Sequence, residues 1–568
     1  MNEEKNEDIF IENYPAENEN DNREYKRLIN IGKNTKEYNL KINKLSSQIL
    51  RRIHSDDNEI YTGGEALYYI GLNNDGTIYP CQTEEYDFSV QILDKALKKI
   101  NCFKKELSHR ITNGTHIGEF LIREKRNIPI EITILMGGSV DAAKSTTIGC
   151  LISGEKDNGR GSSRASVLSG KDELRTGRTM SLSHHILGFN VLGEPCRNPN
   201  YRWKDVIAES SKIIKFIDLA GHEKYSKTTF KGYTLMKASM TFIHIGANMG
   251  VNDTTKEHIS LCINLKIPFC FIVTKIDLCK NCENVMVKTL SDLKDIVSLS
   301  TIRKSLYNVN TDDDILFCAK NLYEMNIVPL FKSSNVTFIG IENIVKFLNI
   351  LPLRKIQVKP QYGNTIEMYI DSTYEKKGFG CIIGGQILCG RVKINDILYI
   401  GPNKNGEYRE VRVFSIHHNR VPVETTENNS YYYCLCIKGM KRYEVKKGMV
   451  ATFPNRISFR EFYANIFVNQ ISKKTDENTR NRSKSTTIRV GYEPTVHILN
   501  MRQNAKILGI TNKKSRRVES DPDVLTYGDT GIVHFRFVYS PQYIKVDDDI
   551  ILAEGILKCV GKIKSVVG

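Results

Sequence analysis

The sequence predicts an α/β protein in which a doubly wound central domain is followed by two β-barrels, and three observations lead to this. Between residues 129 and 352, short runs of β-branched residues alternate with helical segments, which is typical of a mostly parallel sheet covered on both faces. After Pro352 the helical segments stop, and glycine-punctuated strands continue to the C-terminus. Before residue 129, helical and strand patterns predict a small α+β domain.

These changes of pattern divide the 568 residues into five parts. In order they are an acidic stretch expected to be disordered (1–23), an α+β N-terminal domain (24–128), the α/β domain (129–352) and two β-barrel domains (353–455 and 456–568). The last part carries two basic insertions, 473–484 and 513–517. They are either mobile loops or contacts to phosphate groups.

The N-terminal domain has no catalytic pattern, and we expect it to serve in packing or docking. Its first helical pattern places Leu45, Ile49, Leu50 and Ile53 on one face, and a strand is predicted at 65–72. Thr83 is the predicted N-cap of a second helix. The apolar stripe of that helix is predicted to contain Phe88, Ile92, Leu93, Ala96, Leu97 and Ile100. Further strands are predicted at 102–107 and 115–123.

The charge, the apolar runs and the cysteine content of the chain indicate which class of protein it belongs to. The net charge is +16 although residues 1–23 are acidic, so the rest of the chain is basic and suits a polyanionic partner such as RNA. No apolar run approaches the ~18 residues of a membrane span, and a basic signal-peptide start is missing, which predicts a cytoplasmic protein. Fourteen cysteines in a chain of this length do not indicate a disulfide framework. The pairs His184–His185 and His417–His418 are predicted to be polar surface.

A predicted strand, a turn of small residues and a helix start follow one another at the beginning of the α/β domain. The turn consists of Gly138, Ser139, Val140, Asp141, Ala142, Ala143, Lys144 and Ser145. This order is typical of a phosphate-binding loop, in which the lysine reaches the outer phosphates and the serine hydroxyl holds Mg²⁺. Alternatively, it is an ordinary turn. Ala143 replaces the second glycine of the pattern, which would cost ~1–2 kcal/mol in a left-handed conformation and little in a helical one.

Three later strands of the same domain also end in residues suited to binding a nucleotide. They are followed by Asp218, Leu219, Ala220, Gly221 and His222; by Thr274, Lys275, Ile276 and Asp277; and by Ser334 and Asn335. Asp218 can hold Mg²⁺ through water, and the Gly221 N–H can approach a γ-phosphate. Asp277 can accept two N–H bonds from guanine, which adenine cannot supply. Because strand ends of this kind meet at one edge of a sheet, the pattern predicts a GTP/GDP site.

These motifs resemble those of translation-factor GTPases of the elongation factor Tu and elongation factor 1-alpha class. More specifically, the chain is similar to the GTP-binding protein 1 subfamily, and to a viral or protist member of it, from residue 24 to the end. The shared stretches are Val140-Asp141, Asp157-Asn158-Gly159-Arg160-Gly161, Gly177-Arg178-Thr179, Asp218-Leu219-Ala220-Gly221-His222-Glu223-Lys224-Tyr225, Thr255-Lys256-Glu257-His258 and Ser334-Asn335-Val336-Thr337. Thr274 stands where most relatives have asparagine, but this subfamily shares the threonine.

The resemblance implies an α/β P-loop GTPase domain followed by two β-barrels that grip tRNA and follow the switch state. It implies that Thr179 belongs to the first switch, and that Thr179, Ser145 and Asp218 hold Mg²⁺. His222 would orient the attacking water, and Asp141 would support the phosphate cradle. Phosphoryl transfer needs mainly positioning and charge neutralisation, so this set suffices for GTP hydrolysis.

Together, the motifs and the resemblance predict an elongation-factor-like GTPase that hydrolyses GTP to GDP and phosphate and acts on tRNA or the ribosome. The alternative is an RNA-binding or RNA-turnover adaptor with a weak or silent GTPase. A structural protein with a vestigial nucleotide site is a third interpretation. In each case we expect a monomer with no membrane or DNA partner.

Overall fold

The computed structural model describes most of the chain. The described residues are 14, 16–17, 23–29, 35–54, 64–112, 114–126, 128–168, 182–197, 202–221, 226–236, 238–281, 283–298, 303–323, 326–353, 365–376, 380–426, 431–469, 487–514, 521–526, 528–554 and 557–567. Within these residues, no helix combines the length and apolar character needed to cross a membrane.

The N-terminal domain is an α+β unit, as predicted. Its elements are β1 (Arg23–Lys26), α1 (Thr35–Ile53), β2 (Glu65–Ile70), α2 (Thr83–Lys99), β3 (Cys102–Thr112) and β4 (Thr115–Glu124). The strands form a sheet in the order β1-β2-β4-β3. Apolar side chains of α1 and α2 pack with those of β2 and β4 in one core, which buries Ile49, Ile92 and Phe120.

Three expectations for this region need correction. Tyr14 and Glu17, from the stretch expected to be disordered, contact the domain, because the Tyr14 ring packs edge-on against Tyr69 and the Glu17 carboxylate pairs with Arg52. The other residues before Arg23, apart from Ala16, lie outside the described part. The N-cap of α2 is Gln82 rather than Thr83, in a reciprocal capping box with Glu85. Phe88 is 40% exposed, so it lies at the edge of the apolar stripe rather than within it.

The α/β domain alternates strands and helices. Its elements are β5 (Ile130–Gly138), α3 (Lys144–Ser153), α4 (Ser162–Ala165), β6 (Ser183–Phe189), β7 (Pro195–Cys196), α5 (Trp203–Glu209), β8 (Lys212–Asp218), α6 (Ser226–Leu235), β9 (Met240–Gly246), α7 (Asp253–Asn264), β10 (Phe269–Thr274), a 3₁₀ helix (Ile276–Asn281), α8 (Glu283–Ser298), β11 (Ser305–Asn308), α9 (Asp312–Asn321), β12 (Ile327–Lys332) and α10 (Ile341–Ile350). The β-branched runs at 131–136, 213–217, 241–245, 268–273 and 327–331, which predict buried parallel strands, all form strands here: β5, β8, β9, β10 and β12.

The described strands of this domain form one mostly parallel sheet in the order β11-β12-β10-β9-β5-β8-β6-β7. The sequence did not predict β11 or the antiparallel edge strands β6 and β7. Because β6 begins with polar residues, it lacks the apolar run from which the other strands were predicted. His184 is half-buried in β6 rather than on the polar surface, because its ring packs against the Tyr432 ring (centroids 5.6 Å apart), and burial lowers the pKa of its imidazole to about 3.

Two closed barrels follow the α/β domain. The first consists of β13 (Ile366–Lys376), β14 (Gly380–Cys389), β15 (Ile397–Gly401), β16 (Arg409–His418), β17 (Val421–Val423), β18 (Tyr432–Lys438) and β19 (Val450–Phe453). The second contains β20 (Glu461–Asn469), β22 (Thr495–Ile498), β23 (Met501–Lys514), β25 (Thr530–Phe537), β26 (Asp549–Glu554) and β27 (Leu557–Val567), beside a small ribbon of β21 (Ile488–Arg489) and β24 (Val524–Leu525). The fold class is therefore confirmed.

Pairing of β15 with β16 closes the first barrel, and β20 pairs with both β25 and β27 in the second. The basic insertion 473–484 lies outside the described residues, as does most of 513–517. The exact domain boundaries stay predictions.

A buried ionic cluster joins the N-terminal domain to the α/β domain. The Arg123 guanidinium donates to the Glu65 carboxylate (2.5 Å) and to Asn349 Oδ1 (2.6 Å). The Lys212 ammonium donates to Glu65 Oε2 (3.1 Å) and to the Leu351 carbonyl (2.6 Å). Burial alone would raise the pKa of Glu65, but Arg123 and Lys212 hold it below its ordinary value. Two cations share one carboxylate here, and backbone carbonyls satisfy their remaining donors.

Arg123→Met should loosen this junction, because it leaves the Asn349 side chain without its buried donor and the Glu65 carboxylate with Lys212 as its one remaining cation. Breaking a buried ion pair from one side costs ~3–5 kcal/mol. We expect the free energy of local opening at β4 and α10, measured by amide hydrogen exchange, to fall by that amount. The control is Arg51→Met, which changes an exposed arginine of α1. Unchanged exchange at both elements would show that the cluster does not hold the domains together.

The first barrel is joined to the α/β domain by contacts at the start of β5. The Glu131 carboxylate accepts from Lys215 (3.1 Å) and Asn419 (2.8 Å) and lies 3.1 Å from His418 Nε2. His418 is therefore buried at an interface, and the prediction that it is polar surface is wrong.

The helix that follows Gly221 contacts both barrels. Thr234 on α6 donates to the Leu499 carbonyl of the second barrel (2.9 Å), and Lys231 pairs with Asp371 of the first. The resemblance to translation-factor GTPases implies that Asp218 and Gly221 form a second switch, and α6 is the helix that follows them along the chain.

Candidate guanine-nucleotide site

The predicted phosphate-binding loop lies between β5 and α3. Gly138 has φ 124°, and a Cβ there would be 2.3 Å from the His244 carbonyl, so only glycine fits. Ala143 is the N-cap of α3 with φ 62° and ψ 24°. Of the two conformations that the sequence allowed for Ala143, left-handed and helical, the structure therefore shows the left-handed one. Asp141 also has a positive φ, of 61°.

Ala143→Gly should stabilise the α/β domain. The left-handed conformation costs a non-glycine residue ~1–2 kcal/mol, and glycine returns ~0.5–1 kcal/mol of that as chain entropy, so we expect a net gain of about 1 kcal/mol. Urea unfolding of the α/β domain, followed by a domain-specific probe, measures the change. Ala142→Gly is the matched control, because Ala142 is fully buried and free of this strain, and it should destabilise. A parent that is as stable as Ala143→Gly would contradict the strain argument.

Lys144 lies buried beneath the loop. Its ammonium donates to the carbonyls of Gly138 (2.9 Å) and Ser139 (2.7 Å). Burial lowers the pKa of this lysine to about 8, while the Asp218 and Asp141 carboxylates act in the opposite direction. The cation is thus held by the curled backbone of the loop, at the place where a phosphate chain would be surrounded by N–H groups.

The first residues of α3 meet the end of β8. The Ser145 hydroxyl donates to Asp218 Oδ2 over 2.5 Å, and Asp218 is fully buried. A Cβ on Gly221 would lie 2.5 Å from Lys144 Nζ, so glycine keeps the space above the lysine open. A hydroxyl and a carboxylate are oxygen ligands of the kind that Mg²⁺ prefers. The donor set therefore fits a magnesium-bound phosphate chain.

Of the other residues predicted around the phosphates, three belong to the described part of the chain and two do not. Val140 is half-buried in the loop, whereas Leu219 and Ala220 are buried after β8, where the Ala220 carbonyl accepts from Thr229 (3.0 Å). Thr179 and His222 lie outside the described residues.

The predicted base-reading segment follows β10 directly. The Thr274 hydroxyl is fully buried and donates to the Ala142 carbonyl of the phosphate-binding loop (3.1 Å), with the Ile245 carbonyl at 3.3 Å. Lys275 has φ 61°, and the 3₁₀ helix then begins with half-buried Ile276 and Asp277. Threonine at position 274 thus ties the base-reading segment to the phosphate-binding loop.

The Ser334–Asn335 segment packs against this region from β12. Ser334 is fully buried, and its hydroxyl accepts from the Thr337 N–H (3.1 Å). The Asn335 amide donates to the Thr147 hydroxyl of α3 (3.1 Å), and its carbonyl accepts from the Asp157 N–H (2.9 Å). The side chain of Asn335 is therefore engaged with the helix of the phosphate-binding loop.

Asp157 and Thr147 also contribute to this region, although the sequence did not predict a role for either. Asp157 organises its own loop, because its carboxylate accepts from the N–H groups of Gly159 (2.8 Å) and Ser163 (2.9 Å). Burial alone would raise the pKa of Asp157, but these hydrogen bonds hold it below its ordinary value. The Asp-Asn-Gly-Arg-Gly string was the available signal, since Asp and Asn before glycine favour such turns.

The geometry thus brings a buried lysine, a serine–aspartate pair and a base-reading segment to the carboxyl ends of β5, β8 and β10. This edge of a parallel sheet is where ligands bind in such domains. The chain is 34% identical over 509 residues to GTP-binding protein 1 of Xenopus laevis, covering 88% of this chain and 73% of that protein. The chain belongs to the GTP-binding protein 1 family.

Further comparisons agree with this membership. Residues 130–353 match the elongation factor Tu GTP binding domain family. Human GTP-binding protein 2 is 31% identical over 518 residues, covering 89% of this chain and 82% of that protein. The apo translation elongation factor SelB of Methanococcus maripaludis has a similar fold, with a TM-score of 0.50 and 14% identity over 77% of this chain and 80% of the other.

This member of the GTP-binding protein 1 family is an elongation-factor-like GTPase that binds guanine nucleotides, which confirms the predicted activity.

Proposed function

We propose that the chain is a GTP-driven switch that acts on tRNA or the ribosome in the cytoplasm, with hydrolysis carried out at the edge of β5 and β8. The observation that carries this proposal is the Ser145–Asp218 contact beside the buried Lys144. Ser145 and Asp218 supply oxygen ligands for a metal ion, and Lys144 supplies the positive charge for a γ-phosphate.

The phosphate side of the site would work by positioning. Lys144 would bind the outer phosphates, together with N–H groups of the residues from Gly138 to Ser145. Ser145, Asp218 and Thr179 would hold Mg²⁺, which when bound neutralises charge on the phosphate oxygens. The Gly221 N–H would approach the γ-phosphate, because no side chain fills the space next to Lys144.

The base side of the site would select guanine. Asp277 would accept the N1–H and the exocyclic N–H₂ of the base, while the Lys275 stem would cover its face. The backbone of Ser334 and Asn335 would enclose it from the other side. The Thr274–Ala142 hydrogen bond supports this arrangement, since it couples the base-reading segment to the phosphate loop.

The two barrels would respond to the GTP-bound or GDP-bound state of the switch. The second switch, with Asp218 and Gly221, would close on the γ-phosphate and be released after hydrolysis. The α6 helix, which follows them, contacts the first barrel through Lys231 and the second through Thr234. A shift of α6 would therefore be transmitted to both barrels. The basic character of the chain supports an RNA partner for them, and SelB, whose fold is similar, is itself a translation elongation factor.

His222→Ala tests the proposed hydrolytic residue. The histidine would orient the attacking water, so its loss should slow GTP hydrolysis about 10²- to 10⁴-fold and leave GTP affinity unchanged. Phosphate release under single-turnover conditions, in the presence of ribosomes and tRNA, measures the effect. His417→Ala, in the first barrel, is the control. Equal rates for His222→Ala and the parent would remove His222 from the mechanism.

A further inference from the structure

An open cleft of about 770 Å³ lies between the two barrels and shares no lining residue with the nucleotide site. One wall is formed by the turns at 402–405 and 443–449 of the first barrel, and the other by residues 501–503 and 539–542 of the second. The Asn500 amide donates to the carbonyls of Ile370 (2.9 Å) and Met449 (3.0 Å), which fixes one barrel against the other. The cleft therefore has defined walls.

The charge of the cleft is positive. Lys404, Lys446, Lys447 and Arg502 are all exposed along it, and among the described residues none of the four forms an ion pair. The carboxylate among the described lining residues is that of Glu444, which accepts from Arg409 (2.6 Å) and from the Lys441 N–H (2.7 Å). An anionic ligand would thus meet cations on both walls.

Each wall also presents a tyrosine ring to solvent. Tyr443 on the first barrel is 75% exposed, and Tyr539 on the second is 72% exposed. Both stand on ordered turns. Val445, buried two residues after Tyr443, anchors the first turn in the barrel core. Gln503 holds the second, because its Oε1 accepts from the N–H groups of Tyr539 (3.1 Å) and Ser540 (2.8 Å). The backbone at both tyrosines is therefore ordered and both rings are accessible to a base, with Lys441 Nζ lying 5.9 Å from the centroid of the Tyr443 ring.

We propose that this cleft binds single-stranded RNA, with bases stacked on Tyr443 and Tyr539 and phosphates held by the four cations. Aromatic rings alternating with cations are the means by which proteins bind single strands without reading sequence. A polyglutamate peptide would use the cations but has no aromatic groups to stack on the two rings. The choice of RNA over DNA rests on the proposed function, and the exposed Asn405 amide is available to a ribose 2′-hydroxyl.

The test uses the full chain without nucleotide and a fluorescein-labelled single-stranded RNA of 12 mixed bases. We expect Tyr443→Ala and Tyr539→Ala each to weaken binding about tenfold, which is the effect of losing one stacked base. The double variant Lys446→Gln/Lys447→Gln should flatten the dependence of log K on log salt concentration by about 1.4, since each phosphate contact to a single strand contributes about 0.7. Tyr374→Ala, at an exposed tyrosine outside the cleft, and Lys44→Gln/Lys98→Gln are the controls and should change neither quantity.

Competition by unlabelled ligands separates this proposal from its alternatives. Single-stranded DNA of the same sequence and a polyglutamate peptide should compete at least tenfold more weakly than RNA. Equal competition by DNA would overturn the assignment to RNA, and equal competition by the peptide would point to an acidic protein instead. Binding that neither tyrosine variant weakens would exclude the cleft as the site. GTP hydrolysis by the same variants is measured in parallel. A result that excludes RNA binding in the cleft can then be distinguished from a result that contradicts the GTPase assignment.

Discussion

Asp277→Asn is expected to exchange the nucleotide specificity of the protein from GTP to xanthosine triphosphate. The carboxylate would accept two N–H groups from guanine, whereas an asparagine amide accepts one and donates the other hydrogen bond, which matches the xanthine edge. A site that hydrogen-bonds one edge rejects the mismatched one by on the order of 10⁴-fold. Competition of GTP and xanthosine triphosphate for a fluorescent nucleotide measures both affinities.

The matched control for that exchange is Asp295→Asn, at an exposed carboxylate on α8 outside the site. It should retain the preference of the parent for GTP. If Asp277→Asn kept that preference as well, Asp277 would not read the base, and the segment from Thr274 would serve only to brace the phosphate loop.

Lys144→Met is expected to lower GTP affinity about 30- to 4,000-fold, because removing one partner of a buried charge pair costs ~2–5 kcal/mol. Methionine keeps the length and apolar stem of the side chain, so the loop retains its packing and loses the cation. Isothermal titration with GTP measures the loss.

Lys288→Met, at an exposed lysine of α8, is the control and should bind GTP like the parent. A Lys144→Met protein that bound GTP as tightly as the parent would show that the phosphates lie elsewhere.

The parts of the fold that the sequence predicted are those with strong local patterns. The buried parallel strands are nearly continuous runs of β-branched residues, and each was found within one or two residues of its predicted place. The loop from Gly138 to Ser145, the pair of barrels and the α+β character of the N-terminal domain have equally clear local signals.

The features that the sequence missed depend on contacts made far along the chain. The β6 strand is held by its neighbour β8, so the polar start of β6 gives no sign that His184 is half-buried against Tyr432. His418 is buried only because the first barrel packs on Glu131. Ala143 adopts the left-handed conformation where the loop closes over Lys144, and because alanine disfavours that conformation, its identity could not reveal it.

Whether the chain hydrolyses GTP specifically is decided by phosphate release from the purified chain, with GTP and ATP in parallel and with ribosomes and tRNA added. We predict release from GTP but not from ATP, at a rate that Lys144→Met reduces to background. Release that is the same for both nucleotides, or no release from GTP above the Lys144→Met background, would contradict a guanine-specific hydrolytic site at this edge of the sheet.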